Sequence, residues 1–340
     1  MNKNTNKHVT TTSFKGGTLA LVGLTLLGAS MPCGGSVLQV TADATWTEAM
    51  QSEINGSDGI DIASGVTLTL NIGSGQTLSI AKAISGDGNL VKDGAGRLDL
   101  SGANTFTGQF TIGGAGNVYA YSNGAFGSTA GKTLLYEYLY TNGAGNTGAN
   151  GANLYLCGIT TSEPIKIIAN GKAGHLYAAD STVNVMNGQI ELSGGQASIY
   201  ARSASTIYIR GGIVRGSSVT CQFRPSAASG AKIIVENSPN AVGLWNSVSG
   251  SGEMVLNVAG NAGGYAWLPI RCSVDWAFNN VEIGWKNGGT HMKIDLGGHP
   301  QRVTHVSAGS GMNGHVTSTD KAFLYVKYSN ADRTSYLPFK

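Results

Sequence analysis

The feature that most constrains this chain is a recurrence. Leu78/Ile80, Leu98/Leu100 and Val118/Ala120 return at equal intervals along the sequence. Further on, an aromatic sits at the centre of six short runs: Leu154-Tyr155-Leu156, Leu176-Tyr177-Ala178, Ile199-Tyr200-Ala201, Gln222-Phe223-Arg224, Leu244-Trp245-Asn246 and Ala266-Trp267-Leu268. Successive aromatics are almost evenly spaced, at a slightly longer interval than the first three pairs. Around them lie short alternating segments such as Val66–Leu70, Thr77–Ile80, Val183–Val185, Thr206–Ile209 and Met292–Leu296, bounded by Gly, Asn, Ser and Asp. Each reads as a strand with one apolar face. A period of about 20–23 residues with two or three short strands is what one rung of a parallel β-helix needs. A single rung cannot bury its apolar face, and stacked neighbours complete the core. At about 22 residues per rung, the chain beyond residue 40 predicts roughly 13 or 14 rungs. Only Trp46 to Ile54 has a helix-like pattern, of at most two turns.

Composition agrees with an all-β solenoid. Glycine makes up 51 of 340 residues, about twice the usual share, and costs roughly 1 kcal/mol per interior helical position relative to alanine. It shows no three-residue period, which excludes collagen. Charged residues are only 12% and the net charge is +3, so there is no basic stripe and nucleic acid is not an expected partner. Low charge suits stacked rungs, where equivalent positions would place like charges over one another.

Residues 1–33 predict a secretory signal peptide and the mature N-terminus. Lys3, Lys7 and Lys15 precede the apolar run Leu19–Leu27, which ends in Gly28, Ala29 and Ser30. The run is about half of the ~20 residues a membrane-spanning helix requires, so the mature chain is expected to carry no span. A lipid anchor at Cys33 is disfavoured, because Met31-Pro32 are not small residues. Residues 34–340 then form the solenoid. Cys33, Cys157, Cys221 and Cys272 have no CxxC or Cys/His metal spacing. The last three read as small buried hydrophobes, with one disulfide among them left open.

Two stretches resemble a known family, the autotransporter-associated β-strand repeat, also called the passenger-associated transport repeat. The first runs from Gly86 through Leu98-Asp99-Leu100-Ser101-Gly102-Ala103-Asn104-Thr105-Phe106-Thr107-Gly108 to Ile112, and the second is Ile294-Asp295-Leu296-Gly297-Gly298-His299-Pro300-Gln301-Arg302-Val303. The resemblance implies a right-handed, single-stranded parallel β-helix in an exported passenger, with an adhesive or structural role at the cell surface or outside the cell. It brings no catalytic residues. Such passengers are often followed by a membrane β-barrel or sorting tail. Neither pattern follows in this sequence, so either the chain is part of a longer passenger or its anchorage is supplied in another way.

No cofactor is expected. The competing function is a carbohydrate-active β-helix enzyme, which would need converging carboxylates. Asp58/Asp61 and Asp87/Asp93 are the notable acidic pairs, and both read as turn residues rather than calcium ligands. His291, His299, His305 and His315 lack metal-binding spacing and read as surface histidines. The remaining candidate is the aromatic ladder Tyr155, Tyr177, Tyr200, Phe223, Trp245 and Trp267. Strand alternation leaves two readings open, an interior stack or an exposed strip for glycans or cell-surface proteins. Phe223, flanked by Gln222 and Arg224, has the opposite parity to Tyr155. Open strand edges at the solenoid ends would allow self-association.

Overall fold

A computed structural model describes residues 35–141, 147–169, 174–194 and 196–215, and beyond these a series of strands and short turns between 220 and 326. The expected signal segment, residues 1–33, lies outside the described residues. The chain winds as a parallel β-solenoid. One long sheet has 12 strands, from Thr77–Ile80 through Arg97–Leu100, Asn117–Ala120, Asn153–Leu156, Gly174–Ala178 and Gln196–Ala201 to Leu324–Val326. A second sheet starts at Ala44–Trp46 and Thr67–Asn71 and continues through Asn89–Asp93, Phe110–Ile112, Thr133–Thr141 and Ile165–Ala169 to Ile213–Arg215. The third side begins as a three-stranded sheet, Leu38–Val40, Ile60–Ile62 and Ile84–Gly86, and resumes as an eight-stranded sheet from Thr160–Thr161 to Gly314–Thr317.

Among the described residues the solenoid makes about seven turns, fewer than the 13 or 14 rungs that uniform spacing predicts. One reason is visible in the register. Asn117 pairs with Arg97 on one side but with Asn153 on the other, so the second step is far longer than the first. The excess forms a hairpin, in which the outer part of Thr133–Thr141 pairs antiparallel with Thr147–Gly151. Every other strand pairing is parallel, among the described residues.

The interior follows from alternation. Leu68/Leu70, Leu78/Ile80, Leu98/Leu100, Leu154/Leu156 and Ile207/Ile209 are all fully buried, each pair pointing inward from its strand. Corners are set by backbone contact between turns. A Cβ on Gly108 would collide with the Gly88 carbonyl, and one on Gly131 with the Gly108 carbonyl. Gly94 and Gly114 are stacked in the left-handed region, at φ 74° and 72°, where a side chain would also meet the carbonyl of the turn before.

Between Ile84–Gly86 and Thr160–Thr161 the third side lacks strands, and asparagine side chains add to backbone bonds such as Thr105 N to Ile84 O and Ser128 N to Phe106 O. Buried Asn104 accepts from Ile84 N at 2.9 Å through Oδ1 and donates from Nδ2 to Ala125 O at 2.8 Å. Asn123 Oδ1 accepts from Thr160 N at 2.8 Å. An amide side chain offers the same donor and acceptor as a peptide group, so it can replace one in a ladder.

The helical patch expected over Trp46–Ile54 is a 3-10 turn, Glu48–Met50, followed by a short α-helix, Gln51–Gly56. It closes the first edge of the long sheet. Gln51 Nε2 donates to Ser79 O at 2.8 Å and its Oε1 accepts from Ser79 N at 2.7 Å, satisfying an edge strand as a neighbouring strand would. Ile54, fully buried, anchors the helix on the core.

Candidate ligand strip on the outer face of the long sheet

With Leu154 and Leu156 buried inside, alternation turns the intervening Tyr155 outward. The register then aligns Asp99, Tyr119, Tyr155, Tyr177, Tyr200 and Arg224 in one column. Successive tyrosine rings lie 4.3, 4.5 and 4.5 Å apart between centroids, with interplanar angles of 4°, 8° and 18°. That separation is close to the ~4.8 Å between paired strands, so the in-register backbone itself imposes the stack. The column is thus external, yet its faces are spent on one another. Tyr155 is only 8% exposed, and Tyr119, Tyr177 and Tyr200 are half-buried.

Polar and cationic groups flank it. The Arg97 guanidinium lies 3.8 Å over the Tyr119 ring, pairs with Asp99 at 2.6 Å and donates to the Tyr121 hydroxyl at 2.8 Å. Its hydrogen bond to Asp99 holds its pKa above the usual arginine value. Arg202 sits 5.9 Å from the Tyr155 centroid and pairs with Asp180 at 3.3 Å. His175 packs edge-on against Tyr177 and Tyr200, at 5.8 and 5.2 Å. Asn153 Nδ2 donates to Asn117 Oδ1 at 2.9 Å. Burial, more than the neighbouring Tyr119, pushes the Tyr155 phenol up. Burial likewise raises Tyr121 and lifts the Cys157 thiol to about 11. Cys157 is a free, half-buried cysteine beside this face, a weaker nucleophile than an exposed thiol because it stays protonated.

Of the six aromatics expected to form one ladder, the structure brings Tyr155, Tyr177 and Tyr200 together. Phe223 stands at a different register position from the tyrosines, in keeping with the parity of its neighbours. It pairs with Ile199, while Arg224 pairs with Tyr200, because this step of the ladder is one position longer than the spacing of the aromatics. Trp245 pairs with Tyr265 rather than stepping to Trp267, which lies outside the described residues. Tyr119 is the member that spacing missed. Val118-Tyr119-Ala120 carries the apolar–Tyr–apolar signature, but the hairpin separates it from Tyr155 by much more than one regular period.

The other candidates stay apart. Asp61 Oδ1 accepts from Ser85 Oγ at 2.8 Å, Asp87 Oδ1 from Thr107 Oγ1 at 2.6 Å and Asp93 Oδ1 from Gly94 N at 2.7 Å. Asp58 is exposed. Of the histidines, His299 is half-buried beside Leu296, whose carbonyl accepts from its backbone N–H at 2.9 Å. Side chains of His291, His305 and His315 lie outside the described residues, as do those of Cys221 and Cys272. Among the described residues no cluster of His, Cys, Asp or Glu could hold a metal ion, and no helix is long and apolar enough to cross a membrane.

Among the described residues, Lys92 and Glu163 are ionisable side chains inside the solenoid. Lys92 occupies the interior column Leu70–Lys92–Ile112 with no exposure, and its Nζ donates to the Gly94 carbonyl. A side chain at Gly116 would collide with that Nζ. Burial lowers its pKa to about 8, partly offset by Asp93. Glu163, 2% exposed, receives the Thr133 hydroxyl at 3.3 Å on Oε1. Its Oε2 has no hydrogen-bond partner, and burial lifts its pKa to about 7.

Against known proteins, residues 90–117 match the family model of the passenger-associated-transport-repeat. These residues run from Leu90 to Asn117, spanning the Asn104 bridge, Gly108 and the corner glycines at 94 and 114. No curated protein and no solved structure matches the chain. The protein therefore carries a passenger-associated transport repeat built into a parallel β-solenoid.

Proposed function

We propose that this chain is an exported passenger that acts as an extended scaffold and adhesin at the cell surface or outside the cell, and is not an enzyme. The match of residues 90–117 to a transport repeat of passengers, within a solenoid that fits an autotransporter passenger, carries the reading. The outer face of the long sheet supports it. A half-buried aromatic column bordered by Arg97, Asn117, His175 and Arg202 offers ring edges, hydroxyls and charge-assisted donors on a rigid support. Glycans and cell-surface proteins are the ligand classes suited to such a mixed face.

The test has two arms. Protease added to intact producing cells should remove a C-terminal epitope tag, and a tag fully protected until the cells are lysed contradicts export. A glycan and surface-protein array probed with the purified chain should give ligands whose affinity falls at least about tenfold on Tyr177→Ala or Tyr200→Ala. Binding unaffected by both substitutions removes the strip from the proposal.

A further inference from the structure

The tyrosine column has a chemistry of its own, independent of whether it also binds a ligand. Phenols are the most easily oxidised side chains here besides the thiols and indoles, and four of them are stacked in register at 4.3–4.5 Å between ring centres. The backbone ladder holds them there, since each tyrosine pairs directly with the next across a parallel strand pair. Groups fixed this way react as though at very high local concentration. We propose that Tyr119, Tyr155, Tyr177 and Tyr200 form a site of intrachain oxidative cross-linking, in which neighbouring phenols couple to dityrosine.

The oxidant class is a peroxide acting through a haem peroxidase. Each of two adjacent phenols loses one hydrogen atom, electron and proton together, and one hydrogen peroxide accepts both and leaves as two waters. The resulting phenoxyl radicals carry spin on the ring carbons beside the oxygen. A carbon–carbon bond forms between a Cε of each ring, and the hydrogens on those two carbons move to the two phenolic oxygens, restoring both aromatic rings. No atom is left unassigned.

Geometry favours intrachain partners. Stacked faces leave no gap for a foreign ring, while the half-buried edges of Tyr119, Tyr177 and Tyr200 remain within reach of an oxidant by electron transfer. Arg97 over Tyr119 closes one end of the column, and Tyr121, at 6.3 Å from Tyr119 and nearly parallel, lies to its side. A bond between turns joins 119 to 155, 155 to 177 or 177 to 200, and such a closed loop restricts the unfolded chain. Cross-linking therefore staples the very turns that follow the hairpin insertion.

The experiment treats the full chain, dilute enough to be monomeric, with a haem peroxidase and hydrogen peroxide. Dityrosine fluorescence is followed and linked peptides are mapped by mass spectrometry. Links are expected at 119–155, 155–177 and 177–200, with the product remaining monomeric and melting at a higher temperature. Tyr155→Phe keeps the ring stack but leaves one of three phenol pairs, so yield should fall to about a third. Tyr208→Phe, on a different sheet, should leave the yield unchanged. Should Tyr155→Phe alter the circular dichroism spectrum, Tyr200→Phe at the column's end serves instead and should remove about a third of the links. Links confined to other tyrosines or between chains, or a yield indifferent to Tyr155→Phe and Tyr200→Phe, overturn the proposal.

Discussion

The turns that carry the matched repeat, residues 84–120, and the turns after the hairpin, residues 153–201, solve the same stacking problem differently. The first set steps from Leu78 to Leu98 to Val118, the shorter period of the two, and leaves no slack. Corner glycines touch the carbonyls of the turn below, and Asn104 adds two side-chain hydrogen bonds to the backbone bonds where no strand is formed. The second set steps from Tyr155 to Tyr177 to Tyr200, a slightly longer period, and its corners are mixed: a Cβ on Gly188 would collide with the Glu163 carbonyl. Gly158, by contrast, has open space where a Cβ would be, and the tyrosine column runs along the outside.

Glycine substitutions should separate the tight corners from the open ones most strongly. Gly108→Ala drives a methyl into the Gly88 carbonyl and should cost about 3–5 kcal/mol in denaturant unfolding. Gly158→Ala meets no atom and bears only the strain of its left-handed backbone at φ 79°, about 1–2 kcal/mol. Equal costs would erase the distinction.

Next in size is the side-chain ladder. Asn104→Leu leaves the Ile84 N–H and the Ala125 carbonyl without this partner, at about 1–3 kcal/mol for each buried group. Hydrogen exchange at Ile84 should accelerate with it, and unchanged protection there would show that Asn104 bridges nothing.

The two interior ionisable groups should give opposite pH profiles. Lys92 has a folded pKa of about 8 against an ordinary 10.5, so folding disfavours its charged form. Its penalty is full below pH 8 and fades as pH rises to 10.5. Glu163 has a folded pKa of about 7 against 4.5, so its contribution is full below 4.5 and is lost as pH rises through 7. Lys92→Met and Glu163→Gln should each stabilise the chain by about 2 kcal/mol at neutral pH, after allowance for the hydrogen bonds they lose. Lys92→Met should flatten the alkaline limb of a melting-temperature curve and Glu163→Gln the limb between pH 4.5 and 7. Profiles that do not change would place both groups in contact with water.

Much of this was legible in the residues. Parity in Asn89-Leu90-Val91-Lys92-Asp93 already points Lys92 to the same side as Leu90, although a lysine inside a solenoid runs against expectation. Tyr155, Tyr177 and Tyr200 were legible as a series because inward neighbours flank each of them. Phe223 was legible as the exception through its polar neighbours Gln222 and Arg224, whereas Tyr119 was not, since a hairpin displaces it along the sequence. A one-residue slip moves a side chain to the opposite face, and equal spacing along the sequence does not reveal where a corner absorbs an extra residue. Nor did any local pattern mark Glu163 as buried, because its surroundings come from Thr133, one turn away.

The sequence by itself determined the period, the strand alternation and the excess of glycine, and these suffice for a stacked all-β coil. They are local properties, set by side-chain parity and by the backbone freedom of each residue. Only the tertiary structure decided which residues share a column, that the tyrosines lie outside with their faces spent on each other, and that asparagine amides bridge turns where no strand is formed. Those outcomes depend on the register between successive turns, summed over every corner and insertion, and no single segment carries that sum.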